Sequence, residues 1–385
     1  MPDRPLRLAL FSGNYNYLKE GANQALNRLV GYLGRQGHQV RVYSPVTDTP
    51  AFEPEGTLVP VPSVALPVRS EFRLSLGLPR AIRADIDRFA PHLIHVSTPD
   101  ILGGRAETFA ERRRLPIIAS LHTRFETYLE HYGLGWLRPL AEAHLARFYR
   151  RADCVLAPTA GLVDEMKRLR GDSHAALWSR GVDRDLFSPA RRDLGWRRSL
   201  RVPDDAIVAL FLGRLVVEKG IDIFVEAVRL LQERGHDVRA LIVGDGPARD
   251  RMASLRNAVF TGHLQGEELA CAIASADLMI NPSVTEAFGN VVLEAMASGL
   301  PVISAAAPSA RSLIEDGRTG LLCRTPTPAG YADAAERLIK APHRRLSIGE
   351  AARAASAAYR WDAASEAAEA AYRETLARVA ARRPS

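Results

Sequence analysis

The stretch T-E-A-F-G-N-V-V-L-E-A-M-A-S-G, residues Thr285–Gly299, sets two carboxylates, Glu286 and Glu294, eight positions apart across a predicted loop-to-helix junction. Phe288-Gly289-Asn290 lies between them, and its backbone amides are expected to be the free N–H groups of the helix. Such a helix end carries unpaired donors and a partial positive charge, which suits phosphate. Ionised glutamate only accepts hydrogen bonds and can take two from vicinal hydroxyls. The pattern therefore predicts a site for a sugar nucleotide.

Length and composition indicate a soluble protein of two domains. At 385 residues the chain is too long for one ordinary core, and 47% apolar with 25% charged residues is typical of globular proteins. Apolar runs such as Ile207–Leu212 are far shorter than the ~20 residues of a membrane span, and the start of the chain predicts no signal peptide. Three widely spaced cysteines predict neither a disulfide framework nor a metal cluster, so we expect the cytosol.

The formal charge of +7 lies mostly in the first half of the chain. Residues 1–190 hold 25 basic and 20 acidic side chains, whereas the remainder holds 26 and 24. An anionic membrane or a nucleic acid can attract such a surface. Because no helix-turn-helix, zinc-finger or RNA-binding aromatic signature accompanies the charge, no nucleic-acid partner is expected.

The first half predicts a doubly wound parallel sheet, with strands at Arg7–Ser12, Gln39–Val46, Leu93–Ser97, Ile117–Leu121 and Val155–Pro158. Ligands of such sheets bind beyond the carboxyl ends of the strands.

Two loops lie at these strand ends. The first brings Gly21 to the mouth of a helix, where a phosphate can approach the backbone; the alternative is an ordinary helix N-terminus. The second begins with His122, which has either a role in the pocket or that of a buried hydrogen-bonding histidine.

Two segments mix arginines with large apolar residues, Phe72–Phe89 and Tyr128–Arg151. Basic helices with apolar insertions can lie on membranes. The alternative is an arginine-rich solvated face above a stripe of core residues.

The second half repeats the alternation of strand and helix. The strands predicted here are Val208–Leu212, Ala240–Val243, Ala258–Thr261, Leu278–Asn281, Val302–Ser304 and Leu321–Cys323. Arg180–Arg192, charged and interrupted by Gly and Pro, is the predicted domain boundary. The predicted domains are 1–185 and 186–361, with a C-terminal helix of about 362–385 returning to the first. Two Asp-x-Asp pairs, Asp183 with Asp185 and Asp85 with Asp87, are short enough to arise by chance, and no metal site is expected.

Basic residues follow the first strand of the second half. Gly213-Arg214-Leu215 ends that strand, and Lys219 follows shortly after. Arg and Lys at this edge can neutralise a diphosphate; the alternative is an exposed ion-pairing loop. Gly244-Asp245-Gly246-Pro247 resembles part of a dinucleotide fingerprint but lacks its third glycine, so hydride transfer is not expected.

Taken together, the motifs resemble those of retaining family-4 glycosyltransferases. The resemblance rests on Gly213-Arg214-Leu215 with Glu218-Lys219-Gly220, on the E-x7-E pair Glu286 and Glu294, and on smaller matches that occur in the same order as in the family. These are Gly181-Val182-Asp183, Phe187-x-Pro189, Phe260-Thr261-Gly262 and Gly299-Leu300-Pro301-Val302. It covers nearly the whole chain. It implies the GT-B fold, an α/β architecture of two doubly wound Rossmann-like domains facing across a cleft.

An early segment narrows the resemblance to one branch of the family. Ser120-Leu121-His122-Thr123 with Tyr128 and Tyr132-Gly133-Leu134 is similar to lipid mannosyltransferases and to sulfoquinovosyl- and glucuronosyl-diacylglycerol synthases. One residue departs from the family pattern, because Ala22 follows Gly21 where many members have a second glycine.

The resemblance also implies roles for individual residues. Arg214 and Lys219 would bind the donor diphosphate and stabilise the leaving charge without a metal. Glu294 would bind the ribose, Glu286 would bind the transferred sugar, and His122 would lie on the sugar or acceptor side. The remaining donor-binding residues implied are Gly21, Gly213, Phe260, Thr261, Gly262, Leu264, Phe288, Gly289, Asn290 and Val291.

The expected function is retaining transfer of a hexosyl group to a lipid or glycolipid acceptor, with no cofactor besides the GDP- or UDP-linked sugar. GDP-mannose is the favoured donor, and UDP-glucose, UDP-glucuronate and UDP-sulfoquinovose are the alternatives. The expected location is the cytoplasm, peripheral on the inner face of the membrane through the N-terminal domain. Remoter alternatives are a sugar-nucleotide epimerase, a phosphorylase and a non-catalytic basic binding protein.

Overall fold

The computed structural model describes residues 4–17, 20–65, 73–123, 133 and 135–382, which form two compact units. The first comprises the described residues up to position 123, residues 135–180 and the C-terminal segment from Trp361. The second comprises Gly181–Arg360.

The first unit is built on a parallel sheet of seven strands in the order β3-β2-β1-β6-β7-β8-β9. These strands are β1 Arg7–Phe11, β2 Gln39–Ser44, β3 Thr57–Pro60, β6 Leu93–Val96, β7 Ile117–Ser120, β8 Cys154–Ala157 and β9 Ala175–Leu177. A separate antiparallel hairpin consists of β4 Ser63–Ala65 and β5 Arg73–Ser75. The helices are α1 Gly21–Arg35, α2 Arg80–Phe89, α3 Ile101–Arg113, α4 Arg138–Arg151, α5 Ala160–Arg170 and α13 Trp361–Ala381.

The C-terminal helix α13 belongs to the core of the first unit. Ala368, Ala371 and Tyr372 are buried with Leu29 of α1 and with Trp178, which follows β9. A helix rich in alanine can pack closely here because its short side chains let the backbones approach, and Tyr372 supplies the large apolar ring.

The second unit is built on a parallel sheet of six strands in the order β12-β11-β10-β13-β14-β15. These strands are β10 Ile207–Leu212, β11 Val238–Val243, β12 Val259–Gly262, β13 Leu278–Asn281, β14 Val302–Ala305 and β15 Leu321–Cys323. The helices are α6 Leu194–Ser199, α7 Ile221–Glu233, α8 Gly266–Ala274, α9 Asn290–Ala297, α10 Pro308–Leu313, α11 Pro328–Ile339 and α12 Pro342–Ser356.

The predicted class, two doubly wound parallel α/β domains, is confirmed. The inner strands β13 and β14 are buried at every residue, as strands covered by helices on both faces require. The predicted strands are present, with ends that differ by one or two residues in most cases. The strands β3, β4, β5 and β9 were not predicted, since they are short and lie at the sheet edge or in the hairpin.

The segment that follows Arg180 is packed rather than extended. Val182 and Phe187 are buried in the core of the second unit. Arg192 Nη2 and Arg197 Nη1 bind the two carboxylate oxygens of Asp277 at 2.7 and 3.1 Å. These contacts attach the predicted boundary segment to the second unit.

The two Asp-x-Asp pairs have partners other than a metal. Asp85 binds Arg41 at 2.8 Å, and Asp87 binds Arg113 at 2.7 Å. Asp183 accepts the backbone N–H groups of Asp185 and Leu186. Within the described ranges, no three His, Cys, Asp or Glu residues are grouped to hold a metal ion. Nor does any helix there have the length and apolar character needed to cross a bilayer.

Candidate functional site

The sequence-predicted residues of the second unit lie at one edge of its sheet. The strands β11, β10 and β13 are neighbours, and their carboxyl ends are followed by Gly244, Gly213 and Pro282 respectively. Carboxyl ends of parallel strands meet at the same edge, which is where ligands of such sheets bind. Arg214 is exposed directly after β10. The second half of the chain therefore concentrates its candidate residues at one ligand-binding edge.

Two glycine loops at this edge pack backbone against backbone. A Cβ on Gly244 would lie 1.9 Å from the carbonyl oxygen of Gly213, and one on Gly246 would lie 2.4 Å from that of Leu215. The Leu215 N–H also donates to the Asp245 carbonyl at 2.9 Å. The Gly-Asp-Gly-Pro motif thus lets the loop after β11 support the loop that carries Arg214, and it is not a dinucleotide fingerprint.

Lys219 and Glu286 form an ion pair that the sequence did not predict. Lys219 ends the 3-10 turn Val217–Lys219, and its Nζ contacts Glu286 Oε1. Both side chains remain about one-fifth exposed, at 22% and 21%, so a ligand can still reach them. Burial opposes ionisation of Glu286, but the Lys219 ammonium holds the pKa of that carboxyl below its usual range. The Glu286 carboxyl is therefore ionised at neutral pH.

The helix α9 begins where the sequence placed it. Gly289 precedes it with φ +99°, a left-handed conformation that favours glycine, and no side chain caps the helix. The Thr285 Oγ1 and Asn290 Oδ1 atoms are buried, and neither has a hydrogen-bond partner among the described residues. Buried polar atoms normally have partners, so these atoms together with the uncapped amides favour a polar ligand at this end of α9.

Other predicted donor-site residues lie on two elements. Glu294 is half-buried on α9, one turn after Asn290 and on the same helix face. Phe260, Thr261 and Gly262 are partly exposed in the edge strand β12, and Leu264 follows it. Phe288 and Val291 flank the start of α9, where Phe288 is buried and Val291 is partly exposed.

In the first unit, the carboxyl ends of β1, β6 and β7 are neighbours. Gly21 is the first residue of α1, whose N-terminus has no side-chain cap. His122 follows β7 and is partly exposed. The predicted residues Phe72, Tyr128, Tyr132 and Leu134 lie outside the described residues.

The imidazole of His122 binds polar partners within its own unit. His122 Nε2 lies 2.8 Å from Ser120 Oγ, and Nδ1 lies 3.0 Å from Arg180 Nη2. Burial, together with the positive charge of Arg180, holds the pKa of His122 well below its ordinary value. Sequence reasoning missed Arg180 because it read the residue as the first charged position of a linker. The signal available was an arginine shortly after an apolar strand end.

Comparison with known proteins places the chain in a family. Residues 206–341 match the family model described as Glycosyl transferases group 1, and residues 20–186 match the one described as Glycosyltransferase Family 4. The GDP-mannose-dependent alpha-mannosyltransferase of Mycolicibacterium smegmatis is 34% identical over 97% of this chain and 98% of its own length. The sulfoquinovosyl transferase SQD2 of Arabidopsis thaliana is 32% identical, over 94% and 72% respectively.

A more distant relative and a solved structure complete the comparison. The alpha-monoglucosyldiacylglycerol synthase of Acholeplasma laidlawii is 26% identical over 82% of this chain and 84% of its own length. The sucrose-phosphate synthase of Thermosynechococcus elongatus has the same fold, with a TM-score of 0.78 at 21% identity, covering 97% and 99% of the two chains.

The two doubly wound domains, with polar residues at the ligand-binding edge of the second sheet, are those of an enzyme that uses a nucleotide sugar. The chain belongs to glycosyltransferase family 4 and is a hexosyltransferase.

Proposed function

We propose that this enzyme transfers a mannosyl group from GDP-mannose to a lipid or glycolipid acceptor, with retention of anomeric configuration and without a metal. The observation that carries the donor site is the Lys219–Glu286 pair beside the uncapped start of α9. The lysine ammonium, the glutamate carboxylate and the free amides of the helix lie at one sheet edge. Together they match the diphosphate and hydroxyl groups of a nucleotide sugar.

The donor-site residues are assigned by their charge and place. Arg214 and Lys219 bind the diphosphate and stabilise the charge that develops on it as the sugar leaves, which supplies the positive charge that a metal would otherwise provide. Glu286, held ionised by Lys219, accepts hydrogen bonds from the transferred sugar. Glu294 accepts hydrogen bonds from the ribose, and the segment from Phe260 to Leu264 lies against the base. Gly21 and His122 of the first unit keep the roles that the family resemblance implies, Gly21 toward a phosphate and His122 toward the sugar or acceptor.

Replacing Glu294 with glutamine is expected to raise the KM for the donor about tenfold while kcat changes little. A neutral amide keeps the volume of the side chain but loses the charge-assisted hydrogen bonds to the ribose. Steady-state kinetics with the donor varied measures both constants. A matched control is Glu268→Gln, since Glu268 is exposed on α8. An unchanged donor KM in Glu294→Gln would remove this residue from the ribose site.

The choice of GDP-mannose rests on the mannosyltransferase of Mycolicibacterium smegmatis, which matches this chain over nearly its whole length. The name of the Acholeplasma laidlawii relative indicates a diacylglycerol glycolipid as the type of product. Together they favour a mannosyl donor and a lipid acceptor.

An exposed apolar surface on the first unit supports the lipid acceptor. Leu76, Ile101, Trp136 and Leu140 are 63%, 48%, 73% and 67% exposed. Local contacts link the segments that carry them. A Cβ on Gly77 would lie 4.0 Å from Ile101 Cγ2, and His144 Nε2 of α4 lies 3.1 Å from the Pro99 carbonyl oxygen. Exposed arginines accompany them at positions 80, 83, 105, 138 and 147. Apolar side chains among arginines suit an anionic bilayer, so we propose peripheral attachment to the inner face of the membrane.

Replacing Leu140 with serine is expected to weaken binding to vesicles of phosphatidylglycerol and phosphatidylcholine about five- to tenfold. The leucine would lose the apolar surface that it buries in the lipid. Sedimentation of the full-length enzyme with vesicles measures the partition. Leu346→Ser is a matched control, since Leu346 is a helical leucine of the second unit with 64% exposure. Equal losses in both variants, or none, would show that the surface does not bind membranes.

The proposed function is tested by giving the purified enzyme GDP-mannose, UDP-glucose, UDP-glucuronate and UDP-sulfoquinovose separately with membrane lipid extract. We expect a lipid product heavier by one hexose with GDP-mannose, detected by mass spectrometry, and turnover that persists in EDTA. The anomeric proton coupling of the product reports retention. A lipid product formed only with another donor would change the assigned base and sugar of the donor. Hydrolysis or epimerisation of the donor without any lipid product would refute the acceptor class.

A further inference from the structure

A chain of buried polar side chains lies behind His122 in the first unit. Beyond the bond between His122 and Ser120, the Ser120 Oγ atom lies 2.9 Å from His95 Nε2. Tyr372 Oη of α13 lies 2.8 Å from His95 Nδ1. At the other end of this series of contacts, beyond His122, lies Arg180. All of these residues except His122 are at most 3% exposed. The contacts therefore connect the loop after β7 with the C-terminal helix.

Arg180 fixes the protonation state of His122. A guanidinium carries only donors, so Arg180 Nη2 must donate to His122 Nδ1, and Nδ1 carries no proton. The imidazole is consequently neutral, with its proton on Nε2, and it donates to Ser120 Oγ. Burial lowers the pKa of Arg180 only to about 10, so its guanidinium keeps its charge at neutral pH.

Trp178 fixes the orientation of both groups. The Arg180 Cζ atom lies 4.8 Å from the centroid of the Trp178 ring. The centroid of the His122 ring lies 5.3 Å from that of the same tryptophan ring, and the two ring planes are inclined by 83°. Arg180 also donates to the backbone carbonyls of Trp178 and Ser179 at 2.9 and 3.1 Å. These contacts leave the arginine little rotational freedom, so its hydrogen bond to His122 has a fixed direction.

The other titratable groups around His122 are less direct. His95 reaches it only through Ser120, and burial lowers the pKa of His95 to about 3, which keeps that ring neutral. Glu142 of α4 and Glu165 of α5 line a cavity of about 450 Å³ that Leu121 and Thr123 also border. Arg180 is the charged residue described in hydrogen-bond contact with the imidazole.

We propose that Arg180 is a positioning residue that holds His122 as a neutral imidazole in one orientation with its proton on Nε2. His122 then serves the transfer reaction without gaining or losing a proton. The effect on transfer rests on the function proposed above, whereas the state of the ring is measurable without any substrate.

Replacing Arg180 with methionine tests this assignment. The variant removes the donor and the charge but keeps an unbranched apolar side chain against Trp178. Without the Arg180 donor, the proton can move to Nδ1, so we expect the imidazole to populate both neutral tautomers while burial continues to hold the pKa of His122 below its ordinary value. The kcat/KM of the variant should then fall about tenfold, to the same extent at every pH between 5.5 and 8.

Imidazole nitrogen shifts of the full-length protein, labelled with 15N-histidine, supply the independent readout. His122→Gln identifies the signal. In the wild type we expect the Nε2–H tautomer throughout this pH range, and in Arg180→Met a mixture of the Nε2–H and Nδ1–H tautomers. Arg180→Lys, which retains a cation and a donor, should restore part of the wild-type behaviour and serves if the methionine variant does not fold. Arg170→Met is the matched control, since the Arg170 side chain is also buried and donates to the Ala152 carbonyl.

The outcomes separate the two proposals. A wild-type ring with its proton on Nδ1, or an Nε2–H tautomer that persists unmixed in Arg180→Met, would overturn the positioning role. The same mixture of tautomers in Arg170→Met would show a general loss of structure rather than a role for Arg180. If the shifts behave as expected while the wild type transfers no sugar from any donor, the proposed function fails and the positioning of His122 stands.

Discussion

Replacing Lys219 with alanine is expected to lower kcat about 100- to 1000-fold. The ammonium group lies at the edge of the second sheet, where it holds Glu286 ionised and faces the proposed diphosphate. Loss of one preorganised group that stabilises developing charge typically has an effect of this size. The measurement is single-turnover transfer of the donor sugar to the acceptor, which separates the chemical step from product release.

Two further variants show whether the lysine acts with Glu286 or alone. If the ion pair acts as a unit, Glu286→Gln and the double variant should each be about as impaired as Lys219→Ala. Lys340→Ala is the matched control, because Lys340 pairs with Glu336 at 2.7 Å on an exposed helix end and should have wild-type activity. A Lys219→Ala enzyme within threefold of the wild type would remove this lysine from the donor site.

Replacing Gly244 with alanine is expected to destabilise the protein by about 3 kcal/mol or more. The new Cβ would lie 1.9 Å from the Gly213 carbonyl oxygen, and the backbone φ of +136° is one that an alanine rarely adopts. Either the loop after β11 moves or the loop that carries Arg214 moves, because a backbone oxygen cannot rotate away.

Urea unfolding monitored by tryptophan fluorescence measures the loss of stability, and donor binding reports the loop displacement. Gly34→Ala in α1 is the control, since a Cβ there meets no atom within 4 Å and alanine favours a helix. A Gly244→Ala protein with wild-type stability and wild-type donor binding would contradict the close approach of the two loops.

The fold was largely predictable from local patterns. Runs such as Leu278–Asn281 and Leu321–Cys323 are apolar, short and bounded by helical segments, and the structure begins and ends those strands at the predicted residues. The strands that prediction missed lie at edges or in the hairpin, where exposure removes the apolar signal. The start of α9 was predictable too, because Gly289 marks a left-handed residue before the helix.

The sequence by itself determined which residues reach a ligand-binding edge. Each candidate follows an apolar strand or opens a helix, and that local order places Arg214, Glu286 and His122 at carboxyl ends of parallel strands. Their partners were decided only in the tertiary structure. Lys219 meets Glu286 across 67 residues, and His122 meets Arg180 across 58. Local periodicity indicates which faces are buried but not which strands are neighbours. The pairing of side chains therefore depends on the order of the strands in each sheet, which the sequence pattern does not give.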